Sequence, residues 1–137
     1  VDNISIITQQ AFIGSLLSKK LDLSLSVHGV SFTEFTIMYH LHSAFESKLS
    51  RVHLAEKIGL TASGVTRVLL PMEKNHLVFK ESNPRDARQS LVVLTDVGHE
   101  VLTDALVTVK HTADSIFSLL DHEELSTLQA IINKLKL

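Results

Sequence analysis

Seven basic side chains stand between residues 51 and 88: Arg51, Lys57, Arg67, Lys74, Lys80, Arg85 and Arg88. Only four acids share that span, Glu56, Glu73, Glu81 and Asp86, so it carries +3 within a chain of net charge -2. The chemistry open to such a cluster is the holding of a polyanion, because the distribution of charge, not its sum, decides where phosphates approach. Its densest part lies in ESNPRDARQS, residues 81–90, where three charges fall in the four residues from Arg85 to Arg88. Two apolar runs, LVF before it and LVVLT after it, flank this stretch. It is either a solvated hairpin tip or a finger that reaches a polyanion.

Other chemistries find less support. The chain has no cysteine, which excludes disulfide scaffolds, thiolate metal sites and thiol catalysis. Its eight histidines carry no recognised ligand signature. His40 and His42 are two apart in a helical segment and point in different directions. His99 with Asp96, and His111 with Asp114 or Ser115, have helical spacing without a completing partner. No nucleophile elbow, paired-acid pattern, P-loop or dinucleotide fingerprint is present. We therefore expect no enzyme activity, no metal and no cofactor. The acidic start VDNISIITQQ and the interrupted apolar runs argue against a signal peptide or a membrane span, so a cytoplasmic protein without a membrane partner is expected.

The elements that must position these residues read from periodicity and caps. With 137 residues, 45% apolar and 20% charged, the chain suffices for one domain. Residues 5–21 show a broad apolar helical face. A second helix begins after Ser31 or Thr33, with Phe35, Met38, Leu41 and Phe45 as its stripe. Ser50 caps RVHLAEKIG, which Gly59 closes. Thr61 caps ASGVTRVLLPMEK, whose Val65, Val68, Leu69 and Met72 fall at i, i+3, i+4 and i+7; Pro71 lies late in this helix. The period then changes to two in LVFKE and SLVVLT, which read as strands around the charged loop. Thr95 caps a long helix from about Asp96 to Leu120, and Asp121 with Glu124 forms a capping box for the last one.

Two short helices joined at IGLT and followed by a hairpin describe a helix-turn-helix with a wing. The fold class is mostly α, in the order α-α-α-α-β-β-α-α, with a short extra strand near residue 49 as an option. In the second short helix, Ser63, Gly64 and Thr66 are small groups that let backbone approach a groove, and its N-terminal amides after Thr61 can meet phosphate. Arg67 is the best base-edge candidate, since arginine gives two hydrogen bonds to guanine. Ser63 and Thr66 fit phosphates or methyl groups better. Lys74 either contacts DNA or compensates the helix dipole, and Arg51 either contacts a phosphate or only water. A winged-helix module that binds protein and not DNA is the alternative.

Here the sequence resembles the MarR family of bacterial winged-helix transcription regulators. LAEKIGLTASGVTRVLLPMEKNHLV (54–78) and NPRDARQSLVVLTDVGHEVL (83–102) carry the resemblance, above all Asn83-Pro84-Arg85-Asp86-Ala87-Arg88 followed by Leu94-Thr95 and Gly98. The resemblance implies a single domain over 1–137, with the winged lobe at 33–95 and dimerisation helices at 4–27 and 96–137. It further implies a homodimer on a pseudo-palindromic double-stranded operator, most often as a repressor, with the wing in the minor groove. Arg88 then corresponds to the wing arginine and Asp86 to the carboxylate that braces it, with Arg85 as an additional charge. Ala87 stands where the family commonly has a further arginine, Asn83 where it has aspartate, and His76 where it usually has glycine. A small aromatic or lipophilic effector is also implied, with His28, Phe32, Phe35, Met38, Tyr39 and Val65 as lining candidates. The absence of cysteine excludes the family's thiol-based peroxide sensing.

Overall fold

The computed structural model describes residues 2–135. Its helices are α1 (Asn3–Leu25), α2 (Phe32–Ser43), α3 (Arg51–Ile58), α4 (Ala62–Lys74), α5 (Asp96–Ile116) and α6 (His122–Lys134). Its strands are β1 (Lys48–Ser50), β2 (Val78–Ser82) and β3 (Ser90–Leu94). The three form one antiparallel sheet in the order β1-β3-β2, with Ser82 opposite Ser90 at the root of the wing and Leu49 opposite Val92. The short strand near residue 49 is thus present.

The helix boundaries have local causes. Asp2, Ser50, Thr61 and Thr95 each accept a backbone N–H two or three residues on, satisfying donors that a helix start leaves free. Ser31, not Thr33, starts α2: its side chain takes the Glu34 N–H while the Glu34 carboxylate takes the Ser31 N–H. Asp121 and Glu124 make the same reciprocal pair at α6. Three ends differ from expectation. Helix α2 stops at Ser43, so Phe45, expected in its apolar stripe, lies beyond it and is exposed. Helix α1 runs past Leu21 to Leu25, and these are its two buried residues. Helix α5 stops at Ile116, not near Leu120, because Asp121 must be extended to cap α6. Residues 117–120 turn tightly to allow it, with the Leu120 N–H donating to the Phe117 carbonyl.

One core joins the parts. Leu25, Ile37, Met38, Leu41, Leu54, Val65, Leu69, Met72, Val92 and Leu102 are its largest fully buried side chains. They come from α1, α2, α3, α4, β3 and α5, so the helix-turn-helix, the root of the wing and the start of α5 are fixed against each other. Apolar burial on this scale is the dominant favourable term.

Two joints set the direction of the wing. At the end of α4, the Leu77 N–H donates to the Met72 carbonyl and the His76 N–H to the Glu73 carbonyl, the paired bonds of a Schellman turn. That turn needs a left-handed residue, and His76 takes it with φ 61°, while Asn75 stays at φ -89°. Asparagine tolerates this conformation better than histidine does. The position is fixed instead by Leu77, which must be buried beside Met72. At the second joint, the Thr95 hydroxyl caps the Gly98 N–H at 2.9 Å and contacts the His76 carbonyl at 2.6 Å. A Cβ on Gly98 would collide with the Leu77 carbonyl and the Leu94 side chain, so only glycine lets α5 start against the hairpin.

Candidate nucleic-acid interface

Helix α4 turns Val65, Leu69 and Met72 into the core, which leaves Thr61, Ser63, Arg67 and Lys74 exposed along the opposite side. Its first amides, at Ala62 and Ser63, precede any intrahelical acceptor. The helix continues through Pro71 to Lys74. The Thr61 hydroxyl accepts from the Gly64 N–H at 3.0 Å and lies 3.2 Å from the Ser63 hydroxyl. Thr66 is placed differently from its neighbours. Its hydroxyl donates to the Ala62 carbonyl at 3.1 Å and accepts from Arg51 Nη1 at 2.9 Å. A hydroxyl has a single proton, so in this arrangement Thr66 has none to offer a phosphate.

The wing tip is built from two successive side-chain turns. Asn83 Oδ1 accepts from the Arg85 N–H, and Asp86 Oδ1 accepts from the Arg88 N–H, both at 3.0 Å. Aspartate and asparagine favour such turns because their short side chains reach the backbone two residues on. The Asn83 N–H closes the loop onto the Gln89 carbonyl. Asp86 Oδ1 also accepts from Arg88 Nε at 3.2 Å, while the Arg88 side chain remains 91% exposed. The guanidinium is therefore held in direction and open to solvent. Arg85 is exposed on the same tip.

Between α3 and the wing lies a polar hollow of about 280 Å³ lined by Arg51, Lys80, Ala87, Arg88, Gln89 and Ser90, with Glu81 and Ser82 on its wall. Glu81 is engaged by Lys48 at 3.2 Å, and Lys48 meets Glu46 at 2.9 Å. Those contacts, with Glu46 first, raise the Lys48 pKa and keep it charged. Lys80 faces Glu73 at 3.6 Å. Sequence reasoning did not single out Lys80, Gln89 or Ser90. The strand register supplies the missing signal, since it sets Lys80 opposite the buried Val92 and turns it toward α4.

A second, apolar groove of about 460 Å³ runs between α2 and α5. Phe32, Phe35 and Tyr39 line it, stacked in series with ring centroids 6.1 and 6.2 Å apart, together with Leu106 and Val109. His40 lines it too, and burial, then the charge of Lys57, lowers its pKa. Of the other lining candidates, Met38 and Val65 are wholly within the core and do not reach the groove. His28 instead places Nε2 2.7 Å from the Thr108 hydroxyl and ties the turn after α1 to α5. His42 and His99 bring their Nδ1 atoms to 3.2 Å, linking α2 with α5. Among the described residues no group of three or more His, Asp or Glu could hold a metal ion, and no described helix is long and apolar enough to cross a membrane.

A family model described as "MarR family" matches residues 28–89, the span from the approach to α2 through the wing tip. Over that span, which is less than half of the chain, the sequence is similar to the MarR family. Among curated relatives, the transcriptional regulator MhqR of Bacillus subtilis is 24% identical over 110 residues, covering 80% of this chain and 74% of its own. Among solved MarR-family structures, Sco3205 of Streptomyces coelicolor in complex with DNA aligns with 97% of this chain and 86% of its own, at TM-score 0.86 and 24% identity. An E. coli MarR variant complexed with operator DNA aligns with 98% of both chains, at TM-score 0.86 and 20% identity. At these identities the structural likeness establishes the fold, six helices around a three-stranded winged sheet. The chain presents Asp86 and Arg88 at the wing tip and Arg67 on α4.

Proposed function

We propose that this chain is a DNA-binding transcriptional regulator of the MarR type that grips a pseudo-palindromic operator as a homodimer and acts as a repressor. The observation that carries this reading is the wing tip, where Asp86 holds an exposed Arg88 on the same rigid core that presents Arg67 from α4. Helix α4 enters the major groove, with Arg67 on a base edge and Ser63 and the first amides of α4 near phosphates. The guanidinium of Arg88 enters the minor groove, where the negative potential is strongest when the groove is narrow. Two lobes in a dimer would read two half-sites. DNA as partner places the protein in the cytoplasm. The groove of Phe32, Phe35 and Tyr39 suits a small aromatic or lipophilic effector: such a molecule, wedged between α2 and α5, would shift the winged lobe relative to the dimerisation helices.

Duplex binding measured against salt tests the reading. The wild type should bind a selected operator with log Kobs falling steeply in log salt, and Arg88→Ala should weaken it about tenfold or more. A wild type with no duplex binding, or with a flat salt response, would sink the proposal and favour a winged-helix module that binds protein.

A further inference from the structure

We propose that the hollow between α3 and the wing is a seat for one phosphate of the DNA backbone, with Arg51 as its main ligand and Thr66 as the residue that positions Arg51. The proposal rests on the DNA-binding reading above and assigns Thr66 a role other than direct contact. Arg51 Nη1 donates to Thr66 Oγ1 at 2.9 Å, and the same oxygen donates to the Ala62 carbonyl. A guanidinium has five N–H donors. Thr66 uses one, and the others remain for the hollow that Arg51 lines. Arg88, fixed by Asp86, and Lys80, which also faces Glu73, line the same hollow with Gln89 and Ser90. The one carboxylate lining it, Glu81, is held by Lys48, which limits its repulsion of an anion. Ala87 also lines the hollow, and its short side chain leaves the space open. At about 280 Å³ the space admits an oxyanion with part of its hydration.

Position gives the seat its use. Arg51 touches α4 through Thr66 and lines the hollow together with the wing, so a phosphate there lies between the strand segment read by α4 and the one met by Arg88. A phosphate held at that point sets the register of both contacts without reading sequence.

The experiment measures operator affinity and its salt slope for the full chain and for Arg51→Ala, Thr66→Val, Thr66→Ser and Arg51→Ala with Thr66→Val. Thermal midpoints confirm that each variant is folded. Arg51→Ala should lose roughly tenfold in affinity at moderate salt and reduce the slope by about 0.9 for each protomer bound. Thr66→Val should lose part of that, Thr66→Ser should keep it, and Thr66→Val should cost nothing further once Arg51 is gone. An equal Thr66→Val cost in both backgrounds would make Thr66 an independent contact and overturn the positioning role. An unchanged slope in Arg51→Ala, with a steep wild-type slope retained, would overturn the seat while leaving the DNA-binding reading intact. Inorganic phosphate, titrated at constant ionic strength, separates a DNA seat from a free-anion site. No saturable thermal stabilisation is expected, and a stabilisation abolished by Arg51→Ala would reassign the hollow to free phosphate. Loss of wild-type duplex binding altogether would remove both proposals together.

Discussion

Replacing Gly98 by alanine should lower the unfolding midpoint, because the added methyl meets the Leu77 carbonyl and the Leu94 side chain, and backbone cannot step aside cheaply. Overpacking of this kind costs roughly 1–3 kcal/mol. Chemical denaturation of the folded protein measures it, and an unchanged midpoint would show that α5 can lift away from the hairpin. His76→Gly should act in the opposite direction. The left-handed backbone at His76 costs a non-glycine residue about 1–2 kcal/mol. Glycine returns some of that as unfolded-state entropy, so the net gain is up to about 1 kcal/mol. A drop in stability on this substitution would mean that the imidazole makes a contact worth more than the strain. At this scale the sequence disclosed residue types better than residue partners. Asp86 as the partner of Arg88 was legible because the two stand two residues apart in the motif that carries the family resemblance. The bond from Arg51 to Thr66 spans 15 residues and exists only because α3 and α4 pack, so nothing local announced it.

The helices were legible where a cap and a period agreed. Thr61, Thr95 and Asp121 each mark a start that the structure keeps. The end of α5 was not legible, since Phe117 and Leu120 continue its apolar spacing although they belong to the turn before α6. Ser31 and Thr33 both suit a cap by type, and only the reach of Glu34 back to the Ser31 N–H separates them. The capping box on α6 offers a test of what that helix is for. Helix α6 has no fully buried residue within its own chain, Leu125 and Leu128 being half-buried, so the proposed dimer would supply much of its packing. Removing the cap with Asp121→Ala should cost about 1 kcal/mol of helix stability. We expect that loss to emerge as a several-fold weaker subunit affinity, measured by dilution in sedimentation or light scattering. If the variant associates as tightly as the wild type, α6 does not contribute to the subunit contact.

The whole molecule shows two unlike surfaces. Around the wing and α4 most exposed groups are charged or small, Leu70 and Phe79 excepted, whereas α1 and α6 expose a run of large apolar ones, among them Ile4 at 72% and Phe12 at 64% on α1. Ile7, Ile13 and Leu16 continue that set on α1, and Ile131 and Ile132 on α6. An apolar surface of this breadth is what a subunit contact would cover. Sedimentation at micromolar concentration should therefore give a dimer, and Ile13→Asp should shift it toward monomer and weaken operator binding with it. A wild-type monomer at that concentration would refute the dimer. The sheet described above carries a further consequence. Its order leaves β1 and β2 as the two free edges. One is three residues long, and the other has Lys80 and Glu81 at its centre. Short or charged edges recruit foreign strands poorly. Even with its apolar helices unpaired, the protein should therefore resist fibril growth, and partial unfolding at high concentration should yield amorphous clumps in preference to cross-β filaments.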